Sequence, residues 1–195
     1  MSKSIRFMPL VIAGAALLFS TASSAAWKFD PDQSRVSATF IDQRSSGNVE
    51  SVYHINRLAG TIDDEGHLNL PLELSQLDLL QQVPAWLTGM LGDPKATITG
   101  DIDPSWFNID VGSSITRDVK LTVTSKHHSS SDTVPLKMTR SSENAYQIET
   151  AKALSLRTSD LLKQQYAQPI LQTVGFQNLA DHIPLDFEAT VNEEK

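Results

Sequence analysis

Leu68-Asn69-Leu70-Pro71-Leu72-Glu73-Leu74 sets a leucine at every second position, with Asn69, Pro71 and Glu73 between them. A period of two is how a strand reads when one face is buried and the other meets water. The same alternation runs outward in both directions. Upstream, Leu58, Gly60 and Ile62 share it, and before them Val36, Ala38 and Phe40 alternate with Arg35, Ser37 and Thr39. Downstream come Ala96-Ile98-Ile102, Phe107-Ile109-Val111, Val119-Leu121-Val123, Val134-Leu136-Met138, Tyr146-Ile148, Leu154-Leu156 and Ile183-Leu185-Phe187.

Short polar stretches separate these runs, at 63–66, 103–105, 129–132 and 141–144. Connections that short join antiparallel neighbours, because parallel strands need long crossovers. About nine or ten antiparallel strands with one wet face must bury the other, in a sandwich or in a barrel closed on itself. The fold class is all-β. Two segments depart from the pattern. Residues 77–91 are apolar and near-helical in spacing, with Pro84 forcing a kink or restart. The second opens at Thr158-Ser159-Asp160, which reads as a helix N-cap, and is divided by Pro169.

The first 25 residues read as an address. Lys3 and Arg6 precede an apolar run at 7–19, and small residues follow through Ala25 and Ala26. That order describes a cleaved secretory signal, with the apolar run too short for a membrane span. The expected mature protein is therefore one periplasmic domain, residues 26–195. Losing Lys3 and Arg6 changes the net charge from −7 to −9, which argues against nucleic acid as a partner. The chain has no cysteine, so an exported form must be held by its core without disulfides. No later segment is long and apolar enough to span a bilayer.

With these pieces in order, the chain resembles the YceI-like family of periplasmic lipid-binding barrels. The resemblance begins at Trp27-Lys28-Phe29-Asp30-Pro31-Asp32-Gln33-Ser34-Arg35-Val36. It continues through Leu58-Ala59-Gly60-Thr61-Ile62, Gly66 and the leucine strand, and ends on Leu179-Ala180-Asp181-His182-Ile183-Pro184-Leu185. Gln33 stands where that family commonly has His, and the apolar 77–91 segment replaces an acidic and aromatic stretch. The resemblance implies an extended, lipocalin-like antiparallel barrel holding a long isoprenoid or quinone-like chain in its apolar interior.

Catalytic patterns are thin. The chain has no Gly-x-Ser-x-Gly elbow, no Gly-rich phosphate loop and no His-Glu-x-x-His, and thiol catalysis is impossible. No enzymatic activity, cofactor or metal site is expected. His127-His128 reads as a solvated loop pair, and His54, His67 and His182 have no partners at ligand spacing. Small inward residues (Ala38, Gly60, Ala96, Gly100) leave room along the barrel axis. The expected ligand-binding residues are Val36, Ala38, Phe40, Leu58, Ile62, Leu70, Leu72, Ile98, Ile109, Leu121 and Val123. Trp86 and Met90 join them if residues 77–91 form a lid; the other reading is a helix packed on the barrel. The expected function is a carrier or buffer for an isoprenoid-type lipid. A second reading makes the chain an envelope structural or partner-binding protein that uses the apolar 77–91 surface, with a homodimer as one form; a lipid-acting enzyme is the third.

Overall fold

A computed structural model describes residues 25–89, 95–126, 129–163 and 166–194. Eleven strands form one sheet. They are β1 (Ala25–Phe29), β2 (Arg35–Arg44), β3 (Gly47–Asn56), β4 (Thr61–Asp63), β5 (His67–Glu73), β6 (Lys95–Asp101), β7 (Ser114–Ser125), β8 (Ser129–Ser142), β9 (Ala145–Thr150), β10 (Leu154–Arg157) and β11 (His182–Glu193). Every pairing is antiparallel, and β1, β4, β5, β6, β7, β8, β9 and β11 follow one another until β11 returns to β1. Eight strands thus close a barrel.

Below that ring the wall continues in a different way. The upper part of β11 pairs β9 and β1, whereas its lower part pairs β2 through Leu185↔Ala38 and β10 through Leu154↔Leu185. One long strand therefore serves two storeys. A 3-10 turn at Pro31–Gln33 marks the step from β1 to β2, and β3 then doubles β2 along its whole length. Three short helices gather at this lower end: α1 (Ala85–Gly89), α2 (Thr158–Leu162) and α3 (Ala167–Thr173).

The register follows from side-chain chemistry. In β5, Leu68, Leu70 and Leu72 are buried and their neighbours exposed, as the leucine alternation requires. Opposite residues share a face, so Ile98 beside Leu70 and Val123 beside Ile98 also point inward. The β4–β5 turn needs Gly66: its φ is +89°, and an added Cβ would lie 1.8 Å from the Ile102 carbonyl oxygen.

Four local expectations are corrected. Residues 107–111 are not a strand; Asp103 caps a 3-10 turn at Pro104–Asn108, and the chain then folds over the upper end. Residues 129–132 are not a turn but the start of β8. Thr158 does not cap α2, because its hydroxyl donates to the Ala180 carbonyl instead. The strand β3 carries no clear alternation in the sequence and was not expected. Around Pro84 the expected break is observed: a 3-10 turn at Asp78–Gln82 ends and α1 begins.

Candidate functional site

The barrel interior holds two apolar clusters, and Leu77 touches both. The upper cluster lies inside the closed ring. At its top Trp27 stacks on Phe107, with centroids 4.6 Å apart and planes 8° from parallel. Tyr146 meets both rings edge-on, at 5.0 and 5.2 Å. Its hydroxyl donates to the Phe107 carbonyl, and burial pushes its pKa above the ordinary phenol value. Arg140 lies 5.6 Å over the Tyr146 ring and donates to the Ile109 and Glu143 carbonyls at 2.9 and 2.7 Å. Aromatic rings and a bonded guanidinium therefore plug the upper end.

The lower cluster is built differently. Phe40, Tyr53 and Phe176 pack together at 5.4–6.1 Å, Tyr53 edge-on to the other two, and Leu79, Val83 and Leu87 come down on them from the helical insertion. Two polar contacts hold the covering segments. Asp78 accepts from the His54 backbone N–H at 2.8 Å and lies 3.2 Å from its ring nitrogen. Asp42, 0% exposed, accepts from the backbone N–H groups of Gln177 and Asn178 and from Arg44 Nε. The Asn178 N–H, then Arg44, hold the Asp42 pKa below the ordinary value against its desolvation.

Against the two clusters, part of the inner wall is less deeply covered. Val36, Ala38, Leu154, Leu156, Leu185 and Phe187 form one continuous apolar strip over β2, β11 and β10, and all are only half-buried. On the other side of the interior, Ile98 and Leu121 are half-buried and Val123 is 41% exposed. These inward residues are where apolar surface still meets solvent.

The expected site residues divide along this line. Ala38 and Phe40 belong to the lower cluster, with Phe40 buried, whereas Val36, Ile98 and Leu121 pack against the upper one and Val123, beside Ile98, is 41% exposed. Leu58, Ile62, Leu70 and Leu72 are buried in the tightly packed upper cluster, where Ile62 is 0% exposed. Ile109 sits under the aromatic plug, and its carbonyl serves Arg140. Trp86 does not face the interior: α1 turns Leu87 inward and leaves Trp86 67% exposed. Met90 and the His127-His128 pair lie outside the described residues.

Two sequence arguments are corrected here. Gly60 and Gly100 do not open an axial channel. A Cβ on Gly60 would lie 2.8 Å from Leu70 Cδ1, and one on Gly100 2.7 Å from Leu121 Cδ2, so larger neighbours already fill that space. His67 does have neighbours at ligand distance, since the hairpin brings donor atoms of Asp63, Glu65 and His67 within 4.8 Å. These groups, Glu65 and His67 exposed and Asp63 partly so, serve the turn. Asp63 accepts the Glu65 and His67 backbone N–H groups, and His67 Nδ1 pairs with Asp101 at 2.7 Å. The Asp101 bond and then the Asp63 charge raise the His67 pKa.

Sequence reasoning missed Leu154, Leu156, Leu185 and Phe187 as part of the open strip, although their alternation was legible. On the outer surface, a groove of about 540 Å³ runs past Arg35, Arg57, Gln147 and Glu188. It is polar, and its Arg57 pairs with Asp32 while Arg35 pairs with Glu188.

No protein-family profile and no curated protein matches the chain. Solved structures do. A polyisoprenoid-binding domain from Saccharophagus degradans, implicated in plant cell wall breakdown, aligns with a TM-score of 0.73 at 15% identity, over 88% of this chain and 100% of that domain. BcnA of Burkholderia cenocepacia aligns with a TM-score of 0.54 at 14% identity, over 83% of this chain and 98% of BcnA. At such identities the likeness is one of fold. The all-β, lipocalin-like barrel read from the sequence is the observed one, and the resemblance to YceI-like barrels holds at that level.

Proposed function

We propose that this chain is a divergent YceI-like protein that is exported to the periplasm and carries a long isoprenoid or quinone-like lipid, without chemistry of its own. The observation that carries this reading is the half-buried apolar strip inside a barrel of the same fold as a polyisoprenoid-binding domain. An extended hydrocarbon laid on that strip removes apolar surface from water on both partners, at about 25 cal/mol per Å². The strip offers no cluster of polar groups to a reacting atom, in keeping with binding alone. Among the described residues no helix is long and apolar enough to cross a membrane.

The test is native mass spectrometry of the protein purified from its own host without detergent. The expected result is a mass increment matching a prenylated lipid, released on unfolding. Protein that emerges lipid-free and then takes up no added prenol or quinone would overturn the reading. The exposed Trp86 favours the second reading for the lid's outer face, as a contact for another envelope component.

A further inference from the structure

The two ends of the barrel differ in charge. The loops of the upper end, 63–67, 101–113, 141–144 and 193–194, hold nine Asp or Glu and no Lys or Arg. The covering segments of the lower end, 75–89 and 158–178, hold three charged residues between them, Asp78, Asp160 and Lys163. Asp78 accepts from the His54 backbone, and Lys163 Nζ lies 2.8 Å from Asp160 Oδ1. Among the described residues, the strand ends around these segments balance: Arg44, Lys95, Lys126 and Arg157 stand against carboxylates at 42, 50, 73 and 181. An acidic chain thus keeps one end close to neutral.

The same end exposes apolar side chains. α1 buries Leu87 and leaves Trp86 67% exposed, and α2 leaves Leu162 45% exposed. Single exposed apolar residues are ordinary on a protein surface. Here two of them, one from each covering segment, fall on the end that carries almost no net charge.

We propose that the lower cover docks on a lipid bilayer, with Trp86 and Leu162 set into the interface and the acidic upper end turned away. The charge pattern favours that partner and fixes the orientation. An anionic membrane repels the upper carboxylates within a screening length of about 8–10 Å. The lower end meets the same surface without net repulsion and brings four basic groups at its rim to the lipid phosphates. Indole, an apolar body with a polar N–H, is a side chain that settles at the headgroup level. The choice of a bilayer over a protein surface rests on the lipid-binding reading, since the cargo of such a carrier is exchanged with a membrane. The docked end is also the one nearer the half-buried Ala38, Leu156 and Leu185, which pack on the lower cluster.

The test uses the exported protein purified from its host, because the apolar run at 7–19 would hold vesicles by itself. Vesicles of phosphatidylcholine and phosphatidylglycerol in equal parts, without prenyl lipid, are added, and the bound fraction is read by flotation. The parent is expected to float with them. Trp86→Ser should weaken partitioning by about tenfold and Leu162→Ser by about threefold, while Val111→Ser changes it by less than about twofold. Val111 is the control because it is 54% exposed and lies at the upper end. Tryptophan emission should shift to the blue on vesicle addition in the parent and not in Trp86→Phe, since Trp27 is stacked on Phe107 and Trp106 is buried. A parent that stays in solution, no difference in emission between parent and Trp86→Phe, or equal losses at Val111→Ser and Trp86→Ser would overturn the docking face. Uptake of dansyl-labelled geranylgeraniol from cyclodextrin, measured without vesicles, separates the two readings. Normal uptake by a parent that does not float overturns docking alone. Flotation without uptake supports docking and overturns the lipid-binding reading.

Discussion

The upper and lower storeys of this barrel are built from the same alternating strands, yet the lower one leaves part of its inward wall less deeply covered. In the upper storey Ile62, Leu70, Met138, Tyr146 and Val191 are fully buried, and even its glycines have no slack. In the lower storey Phe40 and Ile183 are buried, but Ala38, Leu154, Leu156 and Leu185 remain only half-buried. Alternation reports which way a side chain points. Whether it is fully covered depends on what stands opposite: the aromatic plug and the closed ring cover the upper residues, whereas below the covering segments bury Phe40, Tyr53 and Ile183 but cover Ala38, Leu156 and Leu185 only in part.

Truncation should break the comparison most strongly. Ile62→Ala, in the middle of the upper cluster, is expected to cost about 3–4 kcal/mol, the range of deleted buried aliphatic side chains that leave a cavity. Val36→Ala in the half-open strip should cost about 1 kcal/mol or less, because less packing is lost. Urea unfolding of the two variants measures the difference; equal losses would show the storeys to be packed alike.

Enlargement is the complementary perturbation. Gly60→Val places a Cβ 3.0 Å from the Asn69 carbonyl oxygen and 2.8 Å from Leu70 Cδ1. Overpacking of this kind typically costs about 1–3 kcal/mol, and backbone is among the obstructing atoms. The midpoint of thermal unfolding should fall accordingly. A neutral Gly60→Val would mean that the upper storey can rearrange, and would restore the axial channel that small residues implied.

A subtler test concerns how the lower cover is fastened. The folded pKa of Asp42 is depressed, first by the Asn178 N–H. The group therefore contributes stability at pH values above its unfolded pKa, and that contribution is lost as pH falls through the lower, folded pKa. Below about pH 4 the parent protein should lose stability more steeply than Asp42→Asn, which has no proton to take up. Parallel pH profiles from chemical denaturation would contradict the latch.

These contrasts show what local sequence carries. The fold class was legible in the leucines of β5 and in the short polar turns, and the inward set Val36, Ala38 and Phe40 was legible from alternation in β2. β3 escaped because its pattern is inverted at Ser51 and Val52: Ser51 lies opposite buried Phe40, whereas Val52 faces solvent. Phe107, Ile109 and Val111 imitated a strand, but Asp103 and Pro104 start a 3-10 turn that feeds Phe107 into the plug. The glycines misled for a longer-range reason. The space left beside Gly60 is occupied by Leu70 and Phe29, contributed by other strands. The reading of Trp86 as a ligand contact fails because adjacent helix residues point about 100° apart, and α1 turns Leu87, not Trp86, to the buried side.

The smallest expected change in stability is also the one that bears most directly on function. Ala38 lies opposite Tyr53 on β3 and opposite Leu185 on β11, in the middle of the half-open strip. Ala38→Trp adds an indole to that position. If the strip were the wall of a filled core, the ring would overpack it and cost about 1–3 kcal/mol or more. In space that a lipid chain occupies, the ring instead covers exposed neighbours, and the lipid-free protein should unfold within about 1 kcal/mol of the parent while binding is lost. Urea unfolding and titration with dansyl-labelled geranylgeraniol measure the two quantities on one sample. Severe destabilisation would make the lower storey a second filled core. A stable variant that binds as well as the parent would move the lipid off Ala38, toward Ile98 and Leu121 on the facing wall.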